Sequence, residues 1–182
     1  MLTNPWTVNT RAVVSGSVGA ALCGGLGMFS AIVPYAAATA IQLALAIIPF
    51  VGIRFGAAAG FFAGTAGYAV LDRLDGVALF GSWNWCLANG FIGLLAGVLS
   101  YYLIDPDGPS SGRVARVAAI ATVSELLGLT FTATDVLMGT TFSYWLAIAY
   151  VPTALTTAAA VLLLVPVLDQ VWQSRAEPPS HP

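Results

Sequence analysis

The sequence predicts an all-α integral membrane protein: a bundle of six transmembrane helices with both termini cytoplasmic. Three observations predict it. Of 182 residues, 58% are hydrophobic and 8% are charged, against about a quarter charged in soluble domains, and mean hydropathy is +0.87. The apolar residues fall into six runs separated by short polar or turn-forming stretches. Finally, six spans place both termini on one side, and Arg11, Arg54, Arg113, Arg116 and Arg175 all fall on that side; Arg73 falls opposite. Cytoplasmic loops carry the excess of basic residues, so that side is the cytoplasm.

Residues 1–10 form a polar lead with Trp6 at the interface, and Arg11 opens the first run, residues 12–33. Its apolar stretch exceeds the roughly 7–15 residues of a signal-peptide core, so it reads as a retained helix. Pro34-Tyr35 ends it. The second run, residues 36–51, contains Pro49 and is short against the roughly 20 residues needed to span. Tilt, a break or shielding by neighbours would accommodate it. The third run follows Arg54 and ends near Leu71; a loop over residues 72–82 leads to the fourth, residues 83–104.

Residues 105–112 are dense in turn formers and read as a linker. Arg113 and Arg116 open the fifth run, residues 114–138, and Gly139-Thr140-Thr141 is a tight connection to the sixth, residues 142–171. Pro152 is expected to kink that helix and Pro166 to mark its fraying end. Residues 1–172 therefore form one transmembrane domain, and residues 173–182 a disordered polar tail.

Glycine is the second theme. Gly56, Gly60 and Gly64 recur every four residues, with Gly67 close behind, and Gly90, Gly93 and Gly97 follow on the fourth run. In a bilayer the backbone must satisfy its own hydrogen bonds, so these runs stay helical. Small residues four apart form a strip on which another helix approaches closely.

Tyr35, Tyr68, Trp83, Trp85, Phe142, Tyr144 and Trp145 map to the outer helix ends. An interfacial aromatic belt would account for them. A pocket is the other reading, and Gln42, Asp72, Asn84 and Asn89 lie close by in the same segments. A flat heteroaromatic ligand would stack on indole and take hydrogen bonds from such amides. The fifth run carries Thr122, Glu125, Gly128, Thr132 and Asp135 at steps of three and four, which share one helical face. Asp135, nearer the outer surface, is the better candidate for ligand contact. Glu125, near mid-membrane, is either a functional carboxylate or a protonated or paired structural one. Thr153, Thr156 and Thr157 are expected to bond their own backbone.

Other chemistries are excluded. There is no lysine, hence no GxxxxGK[ST] loop. No nucleophile elbow or paired-carboxylate signature is present, so no catalytic residue and no enzyme activity are expected. His181 is the only histidine, and Cys23 and Cys86 lie in apolar runs, so no metal site is expected. Net charge is −2, which argues against a nucleic-acid partner.

Ile41-Gln42-Leu43, Phe55-Gly56, Gly60-Phe61, Gly67, Asp72, Trp83-Asn84-Trp85 and Leu87-Ala88-Asn89-Gly90 before Gly93 occur in order. As an ordered set they resemble the substrate-binding S component of energy-coupling factor (ECF) vitamin transporters, near the riboflavin-type branch. The resemblance implies a multi-pass protein of a prokaryotic plasma membrane that captures a vitamin or vitamin precursor at the outer face. Riboflavin-like compounds and thiamine-pathway heterocycles are the implied ligands. It further implies a transmembrane coupling protein and two ATPase subunits as partners; those subunits, not this chain, would use ATP and Mg. The substrate-binding candidates are Gln42, Tyr68, Asp72, Trp83, Asn84, Trp85, Asn89, Asp135, Tyr144 and Trp145.

The first run carries Ala12, Gly16, Ala20 and Gly24 at intervals of four, with Ser17 and Ala21 on an adjoining row. S components share a small-xxx-small motif on this helix that packs on the coupling subunit, so Gly16 and Ala20 are the leading docking pair. Two other functions compete. A stand-alone channel or facilitator would need a continuous polar path, and none continues to the cytoplasmic end. An intramembrane enzyme using Glu125 and Asp135 would lack a partner base or metal ligand.

Overall fold

The computed structural model describes residues 4–28, 31–32, 40–41, 43–78, 81–105 and 112–176. Six helical rods follow one another: α1 (Thr10–Gly27), α2 (Leu43–Phe55), α3 (Ala57–Leu74), α4 (Trp83–Leu103), α5 (Arg113–Leu137) and α6 (Phe142–Arg175). Among the described residues the one strand pairing is an antiparallel ladder of two residues a side, Ala31 opposite Ile41 and Ile32 opposite Ala40. The helices α4, α5 and α6 are long and apolar enough to cross a membrane.

Helix starts follow local chemistry. The Asn9 carboxamide caps α1, accepting from the Ala12 amide at 2.8 Å and satisfying one of the N–H groups a helix start leaves free. Helix α1 ends at Gly27, short of the expected residue 33. Helix α2 opens in a 3₁₀ turn, Leu43–Ala46, and continues as α-helix over Ile47–Phe55. It therefore starts later than expected and takes in Arg54. Pro49 falls in the first turn of that α-helical part, where a missing N–H costs no internal hydrogen bond.

At Pro152 the structure shows a local change of helix type. The six residues Trp145–Tyr150 before it wind as a π-helix, a wider turn of the kind that accommodates a residue lacking its N–H inside a helix. Pro166 does not end α6. It sits buried inside a helix that continues through Arg175. Residues 173–176, expected to be disordered, are therefore helical; residues 177–182 lie outside the described residues.

The glycine strips do bring helices together. A methyl group built on Gly93 would fall on the Gly60 backbone, one on Gly64 on the Asn89 backbone, and one on Gly97 on Ala57. Helices α3 and α4 thus run antiparallel with their backbones in contact, and Gly52 of α2 meets the Gly93 carbonyl in the same way. Gly56 departs from the strip: with φ at 99° it forms the turn between α2 and α3, a conformation that a residue with a Cβ rarely adopts. Gly93→Val is expected to exceed the about 1–3 kcal/mol typical of overpacking, because backbone, not a movable side chain, fills the space. Thermal unfolding of detergent-purified protein would show it as a large fall in midpoint; an unchanged midpoint would contradict this packing.

On its other side α3 takes α1, in parallel. Methyls on Gly16 and Gly24 would meet Ala59 and Val70 respectively, and Ala20 is buried beside Gly67. The face of α1 carrying Gly16 and Ala20, expected to receive a partner helix, is therefore filled from within the chain. A helix row of small residues shows that something packs there, not which helix does.

One end of the bundle is tied by an ionic cluster the sequence analysis did not single out. Asp169 of α6 is 2% exposed. Its carboxylate meets Arg54 Nε of α2 at 2.5 Å and Arg113 Nε of α5 at 3.0 Å. Arg54 also donates through Nη2 to the Asp169 carbonyl at 2.8 Å. Beside it, the Trp172 ring packs edge-on against Phe55 and Phe50, and the Arg11 guanidinium lies 5.6 Å from the Phe55 ring centre. Four helices thus converge at this end.

Candidate functional site

The opposite end gathers the polar and aromatic candidates. Helix α4 enters through Ser82, and its first turn presents Trp83, Asn84, Trp85 and Cys86. Helix α5 reaches the same level through a 3₁₀ turn, Thr130–Ala133, that leads into Asp135.

Asp135 is the hub. Its Oδ1 accepts from Asn84 Nδ2 at 2.7 Å and its Oδ2 from Trp85 Nε1 at 3.1 Å. Asn84 Nδ2 also donates to Thr134 Oγ1 at 3.1 Å. The carboxylate offers only acceptors, which orients the Asn84 amide with its nitrogen inward. Asn84 is 1% exposed, and its Oδ1 has no hydrogen-bond partner. Asn89, one turn further along α4, repeats the pattern: it is 1% exposed, its Nδ2 donates to the Trp85 carbonyl at 3.0 Å, and its Oδ1 is unpartnered. Two buried amide oxygens therefore stand ready to accept. Leaving such a group bare costs about 1–3 kcal/mol.

A second acidic group flanks the hub. Asp72, near the end of α3, accepts from the Ser82 hydroxyl at 2.5 Å and from the Cys86 thiol at 3.7 Å. It closes the α3–α4 connection and leaves part of its acceptor capacity open. The aromatic candidates divide. Trp85 and Tyr68 pack against the buried cluster of Cys23, Leu45, Ile48, Ile92, Leu129 and Ala154. Trp83 is 41% exposed and meets Phe131 edge-on at 6.4 Å. Trp145 is buried; its Nε1 donates to Thr132 Oγ1 at 3.0 Å, and its ring lies 5.1 Å from that of Tyr150. Tyr144 is 57% exposed and stands away from the hub's hydrogen bonds. Gln42 lies outside the described residues.

The structure thus joins Asn84, Trp85 and Asp135 directly, ties Asp72 of α3 to Ser82 and Cys86 at the start of α4, and sets Asn89 one turn further along α4. It adds Ser82 and Thr134, which sequence reasoning passed over, and gives Thr132 of the polar stripe a partner in Trp145. Hydroxyls beside a carboxylate or an indole gain meaning only once the partner helix is known. Glu125 lies deeper on α5, fully buried, with neither carboxylate oxygen partnered. Thr156 and Thr157 donate to backbone carbonyls of their own helix, as expected. A separate cavity of about 720 Å³ opens between α1, α2 and α6, lined by apolar side chains including Val18, Leu22, Phe50 and Leu168. No cluster of metal-ligating side chains occurs among the described residues.

The family model described as ECF-type riboflavin transporter, S component, matches residues 7–172. Among curated proteins, a UPF0397 protein of Streptococcus gordonii is 37% identical over 109 residues, 59% of this chain and 56% of that protein. A UPF0397 protein of Streptococcus pneumoniae is 36% identical over 93 residues, 51% of this chain and 50% of that protein. The chain spans about half the length of the curated relatives it matches. No solved structure matches it.

Proposed function

The chain belongs to the family of ECF-type riboflavin transporter S components, and from that premise we propose that it is the substrate-capturing subunit of an importer. It takes a small nitrogen heterocycle, riboflavin-like or of the thiamine-pathway type, from the outer face of a prokaryotic plasma membrane. All six helices span, and both termini are cytoplasmic. That orientation puts the Asp135 hub outside and the Asp169 cluster inside, with the arginine bias in support.

One observation carries the reading: Asn84, Trp85 and Asp135 are linked by hydrogen bonds at one end of the bundle, with two buried amide oxygens left unpartnered. Amides and carboxylates in hydrocarbon are costly. A ligand that supplies donors and stacks on Trp83 would offset that cost.

The chain carries no ATPase motif and binds no cofactor of its own. A transmembrane coupling protein and two ATPase subunits, using ATP and Mg, would supply the energy. Because α3 fills the Gly16–Ala20 face, we place the docking surface on the adjoining row of α1. Ser17, Ala21 and Gly25 are exposed there, and a methyl on Gly25 would meet nothing within 4 Å.

The test is uptake of radiolabelled riboflavin and thiamine in cells producing this chain with and without coupling and ATPase subunits. Uptake should require those subunits. Ala21→Leu should reduce it at least tenfold while leaving ligand binding by the purified protein unchanged. Uptake by this chain alone would overturn the importer reading, and wild-type uptake by Ala21→Leu would discard the docking row.

A further inference from the structure

The hydrogen-bond cluster around Asp135 leaves one titratable group unused. Glu125 is fully buried on α5, and both of its carboxylate oxygens lack a hydrogen-bond partner. The groups around it do not fill that need. Thr157 of α6 is within hydrogen-bonding reach of it, but the single hydroxyl proton of Thr157 goes to the Thr153 carbonyl at 2.6 Å. Tyr150, the other hydroxyl interacting with Glu125, donates to the Leu126 carbonyl at 3.0 Å. Cys23 of α1, also in its electrostatic reach, offers only a weak thiol donor. No ion pair to Glu125 occurs among the described residues, and Arg54 and Arg113 are held by Asp169 at the far end. The Thr157 hydroxyl, already given to Thr153, is the nearest strong donor, and it can serve at most one of the two Glu125 oxygens.

Glu125 also lies beneath the recognition end. Ten residues separate it from Asp135 along α5, about 15 Å of helix rise. The buried cluster on which Trp85, Tyr68 and Tyr150 pack includes Cys23 and Leu129, from the helix turns beside Glu125. A carboxylate with two free oxygens pairs best with two parallel N–H donors, or with a cation carrying them.

We infer that Glu125 is the deep binding group for a ligand with an exocyclic amine on a nitrogen heterocycle, which pairs its N–H donors with the carboxylate. The inference rests on the receptor reading above and narrows its ligand class. An amine-bearing heterocycle fits this floor; one presenting only carbonyl oxygens there would set acceptor against acceptor.

The experiment uses the purified full chain in detergent and calorimetric titration with three probes: thiamine, oxythiamine (in which an oxo group replaces the exocyclic amine) and riboflavin. Wild-type protein should bind thiamine at least tenfold more tightly than oxythiamine. Glu125→Gln should weaken thiamine binding at least tenfold and abolish the preference, with its thermal midpoint within a few degrees of wild type. Equal wild-type affinity for thiamine and oxythiamine would overturn the inference, and that comparison needs no variant to fold. So would unchanged thiamine affinity in Glu125→Gln. Binding of riboflavin alone would overturn it too while leaving the receptor reading intact, whereas a wild-type protein that binds none of the three would remove both.

Discussion

Asp169→Asn is expected to destabilise the bundle by about 3–5 kcal/mol, the cost of breaking a buried ion pair by removing one partner. The geometry explains why. Asp169 faces two guanidinium groups, whose side chains are only 16% and 19% exposed. A carboxamide leaves both arginines facing each other across a neutral group, with little water to screen them. The carbonyl of residue 169 would still accept from Arg54, so part of the contact survives, but not the charge compensation. Thermal unfolding in detergent should show a midpoint fall of many degrees. Replacing Arg54 and Arg113 by Met and Asp169 by Leu together should recover most of the loss, because buried ion clusters often do no better than apolar residues of similar volume. A single Asn variant as stable as wild type would mean that the three groups are paired only loosely.

The second large effect is on binding. Asp135→Ala removes the acceptor that holds Asn84 and Trp85 together. The indole N–H and the amide then lose their common anchor, and the aromatic wall of the site loses its orientation. Ligand affinity should fall about tenfold to a hundredfold, equivalent to about 1.4–3 kcal/mol. Asp135→Asn should fall between the two, since one amide oxygen can still accept. Binding isotherms on the purified variants measure this directly. Unchanged affinity in Asp135→Ala, with the protein still folded, would remove Asp135 from the site.

Much of this was legible in the chain itself. The apolar runs locate six helices, and the four-residue glycine spacing marks the helices that touch. Asn84 and Asp135 stand out because amides and carboxylates are rare in hydrocarbon, and Trp85 as an aromatic at an outer helix end. What escaped has physical causes. Small-residue spacing on α1 identifies a packing face but not its occupant, so Gly16 and Ala20 pointed to a partner when α3 already covers them. Asp169 follows Pro166, which reads as a helix end; only the converging arginines from α2 and α5 give it a role. Pro49 sits in a run that reads as too short to span, yet it falls in a first helical turn, and the turn before Pro152, where a kink is expected, is π-helical. Ser82 and Thr134 are ordinary hydroxyls until folding brings Asp72 and Asn84 to them.

Native mass spectrometry of gently purified protein tests the central claim most directly. The account predicts a one-to-one adduct with the mass of a small nitrogen heterocycle, retained by wild type and lost from Asp135→Ala. A wild-type protein that carries no small molecule, and takes up none when riboflavin or thiamine is added, would contradict it.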